Sequence, residues 1–308
     1  MKSIDIHQAN VVGLGAEKFA SGIIQQLADL KKIKIQNIYI NKKSPIKEFY
    51  KSSLRIVKVN YFLGSLSRIA EIFCWRFFRN QKNEILVLGD LPLNTSAKQY
   101  VLCHQSLIFK SFPIFSKGFY KFFFFKIIYR AFLKKEDIIL VQSSSMANKV
   151  LKAFGQKINV RIIDISSNFF GWPNFHRTKK KDINRTSDNI KLIYPSAFYP
   201  HKNHNLLNSI GFEGSVEIIL TLKKDEFCSK NKSISYIGRV GRERVYSLYK
   251  EVDALLFLSS DESLGLPILE AIKCNLPIIC PYADYTKNLN TKNCFFFKLD
   301  DPRSLERA

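Results

Sequence analysis

The sequence lacks the features that mark several large classes of protein. Its six cysteines form no Cys-x-x-Cys pair and no disulfide-framework spacing, which argues against a zinc centre and a disulfide-stapled secreted domain. No apolar run approaches the roughly 20 residues of a membrane-spanning helix. The first residues also lack the apolar core of a signal peptide. We therefore expect buried thiols in a reducing compartment and a cytoplasmic location, with no metal and no cofactor.

Acidic residues are scarce relative to basic ones. The chain has 26 Asp and Glu against 48 Lys and Arg, a net charge of +22. A field of this sign attracts anions, whether nucleic acid, acidic lipid or phosphorylated ligands. The alternative is a soluble protein with a Lys-rich surface. With 46% hydrophobic residues among 308, the chain can form one large or two ordinary domains, and global disorder is excluded.

Apolar runs alternate with helical patterns along the whole chain, which predicts an α/β protein with parallel sheets. A polar stretch containing Lys179–Lys181 separates two series of about six strands. We predict an N-terminal Rossmann-like domain over 1–170, a linker over 171–189 and a C-terminal Rossmann-like domain over 190–308. The predicted strands are 35–39, 56–59, 85–88, 100–103, 138–142, 160–165, 191–194, 216–220, 234–237, 254–258, 277–280 and 294–297. The predicted helices are 16–30, 117–134, 145–154, 242–249 and 266–273, and 301–308 has the pattern of the start of a further helix.

The pattern that bears most directly on chemistry runs from Ser259 to Ala271, Ser-Ser-Asp-Glu-Ser-Leu-Gly-Leu-Pro-Ile-Leu-Glu-Ala. It follows a buried-looking strand and then opens a helix. Gly265 lets the main chain approach a ligand closely, and the free amides of a helix start attract an anion. Glu262 and Glu270 are separated by seven residues, so that one carboxylate can reach further along a ligand than the other. The alternative is that both are ordinary helix charges.

This string resembles the EX7E signature of the family 4 (group 1) retaining glycosyltransferases. The resemblance is specific between residues 190 and 300 and loose before 165. One supporting segment is Tyr194–Asn203, which resembles the family's strand and loop ending in a phosphate-binding Lys. The other supporting segments are Tyr236–Val240, Leu248–Ala254, Asn275–Ile279 and the glycine-rich start Gly13–Glu17.

The resemblance implies the GT-B fold, two Rossmann-like domains with parallel sheets facing each other across a cleft. It also implies an enzyme, a retaining and metal-independent hexosyltransferase. Such an enzyme moves a sugar from a nucleoside-diphosphate sugar to a glycan or lipid-linked acceptor. The composition is rich in Lys, Asn, Ile and Phe, which is typical of AT-rich bacterial genomes. A bacterial enzyme of this kind is expected in surface polysaccharide or lipopolysaccharide biosynthesis.

The resemblance also assigns roles to individual residues. Glu262 is expected to contact the donor sugar, Glu270 the ribose hydroxyls and Lys202 the phosphates of the leaving nucleotide, where electrostatic stabilisation counts most. His104 ends a predicted strand and is the candidate that faces the donor sugar, with a packed histidine as the alternative. The remaining donor-binding candidates are Ser263, Leu264, Gly265, Leu266, Gly15, Gly238 and Arg239.

Two departures from the family pattern leave alternatives open. The family commonly places an Arg several residues before the Lys, where this chain has Ser196 and Ala197. Arg239 or Arg242 could take its place, although either could equally be a solvated surface residue. We also expect the C-terminal domain to lack the family's final helices, which leaves a non-catalytic or truncated remnant as one alternative. A basic nucleic-acid-binding protein is another, although no nucleic-acid-binding motif occurs and we expect no nucleic acid as partner.

The segment 109–135 is rich in Phe, Tyr and Lys. Basic and aromatic residues together suit the surface of an anionic bilayer, which predicts peripheral binding at the inner face of the cell membrane. The alternative is a buried helix whose lysines extend to the solvent.

Overall fold

A computed structural model describes residues 2–11, 14–30, 32–41, 54–59, 65–78, 82–109, 117–163, 189–211, 216–287, 289 and 292–308. The chain forms two compact units, Met1–Trp172 and Pro173–Ala308, which we call the N-terminal and C-terminal units. Apart from Asn189, the linker predicted over 171–189 lies outside the described residues. No helix of the described segments is long and apolar enough to cross a bilayer.

The N-terminal unit is built on a seven-stranded parallel sheet in the order β3-β2-β1-β4-β5-β6-β7. Its strands are β1 (Lys2–His7), β2 (Ile33–Asn41), β3 (Ile56–Val59), β4 (Glu84–Val87), β5 (Gln99–Leu102), β6 (Ile138–Val141) and β7 (Asn159–Ile162). Its helices are α1 (Leu14–Asp29), α2 (Ser65–Phe78), α3 (Lys117–Phe132) and α4 (Ser144–Phe154).

The C-terminal unit has a six-stranded parallel sheet in the order β10-β9-β8-β11-β12-β13. Its strands are β8 (Ile190–Tyr194), β9 (Val216–Leu220), β10 (Ile234–Tyr236), β11 (Ala254–Leu256), β12 (Ile278–Pro281) and β13 (Cys294–Phe297). Its helices are α5 (Arg242–Glu251), α6 (Leu266–Lys273) and α7 (Pro302–Arg307), with two short 3-10 turns at Pro200–Lys202 and His204–Asn208.

The N-terminal sheet is covered on both faces, as is usual for parallel sheets. On β4, Ile85 and Val87 pack into one buried cluster with Trp75 of α2. Leu86, which lies between them, packs into a second cluster with Ile24 of α1. This alternation places α1 on one face of the N-terminal sheet and α2 on the other.

Each sheet reverses its strand order near the centre. In the N-terminal unit β1 lies between β2 and β4, and in the C-terminal unit β8 lies between β9 and β11. The loops that leave the two central strands diverge at such a point, and ligands of open α/β sheets bind in the crevice this creates at the carboxyl ends. The fold therefore directs attention to the loops after β1 and β4, and to those after β8 and β11.

The predicted fold class is confirmed, and the predicted strands correspond to β2 through β13. Two elements were not predicted. The first, β1, was hidden by its polar residues, yet its Asp5 is buried and accepts hydrogen bonds from the main-chain N–H of Asn37 at 3.2 Å and the Asn83 amide at 3.3 Å. The second, α2, leaves Leu66, Phe73 and Phe77 exposed, so its apolar residues form no single buried stripe.

Candidate functional site

Two loops meet at the carboxyl end of the C-terminal sheet, one after β8 and the other after β11. The main-chain N–H of Ser260 donates to the carbonyl of His201 at 2.8 Å. The hydroxyls of Ser259 and Ser260 donate to the same carbonyl at 3.1 and 3.2 Å. These bonds join the two loops at the crevice where the strand order reverses.

The same two loops bring Lys202 and Glu262 together. The Lys202 ammonium donates to Oε1 of Glu262, and the side chains are only 16% and 15% exposed. The ammonium also lies 5.5 Å from the ring centroid of Phe257. A cation at this point can bind a phosphate, and the carboxylate beside it can accept a sugar hydroxyl. The two residues with the chemical roles predicted from the sequence thus lie in direct contact.

Two tyrosines, the buried Tyr194 and the half-buried Tyr285, bind the main chain of these loops. The Tyr194 hydroxyl donates to the Lys202 carbonyl at 2.6 Å, and the Tyr285 hydroxyl donates to the Ser259 carbonyl. Burial raises the pKa of both phenols, and the nearby charge of Glu262 adds to the increase. Both hydroxyls therefore remain protonated donors at neutral pH.

Gly265 forms the turn between the loop and α6. It has φ 67° and ψ 58°, in the left-handed region, and its carbonyl accepts the Ile268 N–H at 2.8 Å. A Cβ at this position would lie 3.3 Å from Cδ1 of Ile268. The predicted donor-binding main chain of Ser263, Leu264 and Leu266 is thereby placed between Glu262 and the first turn of the helix.

Glu270 is buried one turn into α6 and carries three hydrogen bonds from α5. Arg242 Nη2 lies 2.9 Å from Oε1, the Tyr246 hydroxyl 3.4 Å from Oε1, and the Tyr249 hydroxyl 3.1 Å from Oε2. Burial raises the pKa of Glu270, and the Arg242 charge and the phenol donors counteract only part of that increase. Since a carboxylate has about four acceptor positions, Glu270 retains capacity for a ligand hydroxyl.

The two arginines considered as replacements for the missing family Arg differ in position. Arg242 lies beside Glu270, whereas Arg239 is paired with Glu226 and its side chain is 75% exposed. Gly238, just before Arg239, has φ 70° and donates its N–H to the Leu222 carbonyl at 3.0 Å. The described contacts therefore connect Arg242, and not Arg239, with the Ser259–Ala271 segment.

In the N-terminal unit, His104 follows β5 and lies beside Asp90, which follows β4. Asp90 Oδ1 accepts the main-chain N–H groups of His104 and Gln105 at 2.7 and 3.0 Å, and lies 3.0 Å from His104 Nδ1. Burial alone would lower the pKa of His104, but the Asp90 charge and hydrogen bond outweigh it and the net pKa is raised. The carboxylate thus orients the imidazole at the carboxyl edge of the sheet. Tyr129, which lies in α3, donates its hydroxyl hydrogen to the main-chain carbonyl of Asp90.

The candidate residues fall in different units. His104 and Gly15, the latter at the start of α1, belong to the N-terminal unit, and the others belong to the C-terminal unit. Gly13, part of the predicted glycine-rich start, lies outside the described residues. Within the described segments, no three His, Cys, Asp or Glu side chains come together as a metal site would require.

The sequence interpretation missed the tyrosines of this site. Tyr246 and Tyr249 follow Arg242 at the i, i+4, i+7 spacing of one helix face, which was a readable signal. Tyr194 was seen only as a strand residue, and Tyr285 lies in no recognisable motif. The hydrogen-bond partners of these last two are main-chain carbonyls that only the fold brings near.

Comparison with known proteins finds a family match in the C-terminal unit. Residues 221–307 match the family model "Glycosyl transferases group 1". The GtfA subunit of a UDP-N-acetylglucosamine–peptide N-acetylglucosaminyltransferase from Streptococcus agalactiae is 35% identical over 83 residues, 26% of this chain and 16% of that protein. The O-antigen chain mannosyltransferase RfbU of Salmonella typhimurium is 20% identical over 197 residues, 60% of this chain and 53% of that protein. The matched parts thus span well under two thirds of these relatives.

Solved structures extend the similarity of fold to the whole chain. Sucrose-phosphate synthase from Thermosynechococcus elongatus superposes with a TM-score of 0.69 at 12% identity, covering 100% of this chain and 88% of that one. The Anabaena protein HepE, solved with UDP and glucose, gives a TM-score of 0.67 at 14% identity with the same coverage. The chain therefore has the GT-B glycosyltransferase fold, and its last third matches the group 1 glycosyltransferase model.

Proposed function

We propose that this chain is a family 4 retaining glycosyltransferase with an EX7E signature. It transfers a hexosyl group from a nucleoside-diphosphate sugar to a glycan or lipid-linked acceptor in surface polysaccharide or lipopolysaccharide biosynthesis. The observation that carries the proposal is the contact of Lys202 with Glu262 at the crevice between the loops after β8 and β11. Glu262 lies within the segment that matches the group 1 glycosyltransferase model, and Lys202 lies in the loop that packs against it.

In the proposed mechanism the C-terminal unit binds the donor. Glu270 accepts a ribose hydroxyl, and the main chain of 263–266 directs its amides at the diphosphate from the start of α6. Lys202 neutralises the charge that develops on the leaving nucleoside diphosphate, and Glu262 orients the donor sugar. We assign no side-chain nucleophile, so that rate acceleration comes from positioning and from stabilising the leaving group. Basic side chains and the helix terminus take the place of a metal ion.

We also propose that His104 of the N-terminal unit contacts the donor sugar. Its Nδ1 is directed at Asp90, which leaves Nε2 as the atom available to a ligand. Gly15 at the start of α1 and the exposed Arg239 complete the proposed donor contacts, Gly15 through its main chain and Arg239 through a guanidinium that would have to leave Glu226.

The donor site can be tested by nucleotide binding. The purified chain is heated with UDP, GDP, ADP, TDP or CDP, with Glu270→Ala as the matched variant. A ligand that binds only the folded protein raises its Tm by mass action. Stabilisation by one diphosphate that is lost in Glu270→Ala would support the proposal and identify the base. A folded protein that none of the five stabilises would refute it.

The transfer step is tested with the donor whose base that screen identifies. Lys202→Ala and Glu262→Ala should each lower turnover about 100-fold, the scale reported for removing one stabilising group from a transition state. Circular dichroism of each variant checks that the fold is retained. Turnover at the wild-type rate in both variants would overturn the mechanism.

We further propose that α3 binds an anionic membrane surface. Tyr120, Phe123 and Ile127 are exposed at the i, i+3, i+7 spacing of one helix face, and the basic Lys121 and Arg130 are exposed beside them. The opposite face of α3 packs into the N-terminal core through Phe122, Ile128 and Tyr129. The alternative of a buried helix therefore holds for only one face of α3.

Vesicle cosedimentation tests this membrane contact. The protein should bind vesicles containing phosphatidylglycerol and not pure phosphatidylcholine, because the attraction is partly electrostatic. Phe123→Ser should weaken binding, whereas Ile190→Ser, at a comparably exposed residue of β8 in the other unit, should not. Equal binding of the wild type to both vesicle types, or of both variants to the anionic vesicles, would contradict the proposal.

A further inference from the structure

A buried histidine lies behind Lys202. His204 is almost fully buried, with its ring stacked on Tyr194 at 4.9 Å between centroids and next to Phe198 and Phe227. Its Nε2 lies 2.8 Å from the Ser196 hydroxyl oxygen. Its Nδ1 has no hydrogen-bond partner among the described residues. The aromatic surroundings leave Ser196 as the polar contact that the ring makes.

These contacts determine where the imidazole proton resides. Burial, with the nearby positive charges of Lys202 and His201, lowers the pKa of His204 to about 4, so the ring is neutral at pH 7. A neutral ring has one N–H, and placing it on Nδ1 would leave a buried donor without an acceptor. The proton therefore resides on Nε2 and is donated to Ser196 Oγ.

Further contacts connect His204 with the main chain of Lys202 through Tyr194. The His204 ring, held by Ser196 Oγ, stacks on the Tyr194 ring at 4.9 Å between centroids, so the Ser196–His204 hydrogen bond supports the position of the Tyr194 ring. The Tyr194 hydroxyl in turn donates to the Lys202 carbonyl at 2.6 Å. Ser196 thus holds His204, His204 packs against Tyr194, and Tyr194 binds the main chain of Lys202.

The main chain at Lys202 needs such support. Lys202 ends a 3-10 turn of three residues, and Asn203 after it adopts φ 57° and ψ 32°, in the left-handed region. A turn this short has little cooperative stability of its own. A hydrogen bond to its last carbonyl therefore restricts the direction in which the Lys202 side chain leaves the main chain.

We propose that His204, Ser196 and Tyr194 are positioning residues that fix the main chain of Lys202 and so align its ammonium with Glu262 and with the departing diphosphate. The proposal rests on the proposed function, because it assigns to these residues the alignment of the group that stabilises the leaving nucleotide. None of the three is required to touch the substrate. Their effect is on the geometry of Lys202, which matters most in the transition state.

Kinetics of three variants test the proposal. Tyr194→Phe and Ser196→Ala should each lower kcat about tenfold, which is the rate loss expected when one hydrogen bond that aligns Lys202 is missing. The KM for the donor should be nearly unchanged. Ser196→Thr keeps the hydroxyl and should restore kcat. Tyr100→Phe, which removes a phenol bound to Glu84 in the other unit, is the control and should leave kcat unchanged. Unchanged kcat in Tyr194→Phe and Ser196→Ala, or a loss that Ser196→Thr does not restore, would overturn the proposal.

A second measurement does not depend on turnover. The rate at which an amine-reactive ester labels Lys202, read by mass spectrometry against the exposed Lys224 of the same sample, reports how firmly the ammonium is bound to Glu262. Tyr194→Phe and His204→Phe should label Lys202 faster, and an unchanged ratio would refute the positioning role. If the wild type neither binds a diphosphate nor transfers sugar, the proposed function fails, while this ratio still decides the positioning role.

Discussion

The Lys202 ammonium contacts the Glu262 carboxylate although 60 positions separate them in the sequence. They meet because β8 and β11 are neighbours in the sheet and the loops that follow them leave at the same edge. With about one sixth of each side chain exposed, the pair is less screened by solvent than a surface ion pair. The contact therefore depends on the strand order and on burial together.

A double-mutant cycle should show strong coupling between these two residues. Lys202→Met, Glu262→Gln and the double variant are unfolded in urea, and we expect a coupling free energy in the upper part of the range of about 0.5–3 kcal/mol that residues in direct contact show. The largely exposed pair Arg244–Glu251 is the matched control, with an expected coupling of a few tenths of a kcal/mol. Equal coupling in the two pairs would show that Lys202 and Glu262 are as solvated as a surface pair.

Glu270 should make the stability of the protein decrease as pH rises. Its pKa in the folded chain is raised above 4.5, mainly by burial, so the native state binds this proton more tightly than the unfolded state. Stability from this group is present below pH 4.5 and is lost as pH rises through the raised pKa. Urea unfolding from pH 4 to 8 should show this decrease in the wild type and not in Glu270→Gln. Parallel profiles would contradict the assignment.

The sequence predicted the parts of this molecule that local pattern determines. Twelve apolar runs corresponded to strands, and the Ser259–Ala271 string located the loop, the glycine turn and both carboxylates. The prediction from the hydrophobic pattern failed where a buried polar side chain has polar partners, as Asp5 of β1 has. A periodicity argument takes polar residues to be exposed, and Asp5 is instead satisfied by residues more than 30 positions away.

The site shows the same division. Arg239 and Arg242 are three positions apart and chemically identical, yet Arg239 lies before α5 and pairs with Glu226, whereas Arg242 begins α5 and pairs with Glu270. The hydroxyl of Tyr285 binds a main-chain carbonyl 26 positions away, and no side-chain motif records such a contact. Residues that bind main-chain atoms are therefore the ones that sequence motifs do not identify.

His104 should titrate at a pH that depends on Asp90. The carboxylate raises its pKa above 6.5, so Asp90→Asn should lower it, as measured by NMR titration of the imidazole C–H signals. The raised pKa means that His104 contributes stability below pH 6.5, which is lost as pH rises through the folded-state pKa. Asp90→Asn should therefore flatten the stability profile above pH 6. An unchanged His104 pKa in the variant would exclude Asp90 as its dominant partner.

Gly265 should resist substitution because of its main-chain conformation and not because of crowding alone. Its φ of 67° lies where an L side chain costs about 1–2 kcal/mol, and a Cβ there would press on Ile268 at 3.3 Å. Gly265→Ala should destabilise the protein by that amount in urea, and Gly265→Asn by less, because Asn tolerates the left-handed region better. Gly211→Ala, in the same unit with open space around it and no positive φ, should cost little or nothing. Since the turn at Gly265 sets the direction of α6, Gly265→Ala should also weaken diphosphate binding, and equal stability and binding in Gly265→Ala and Gly211→Ala would show that the turn is dispensable.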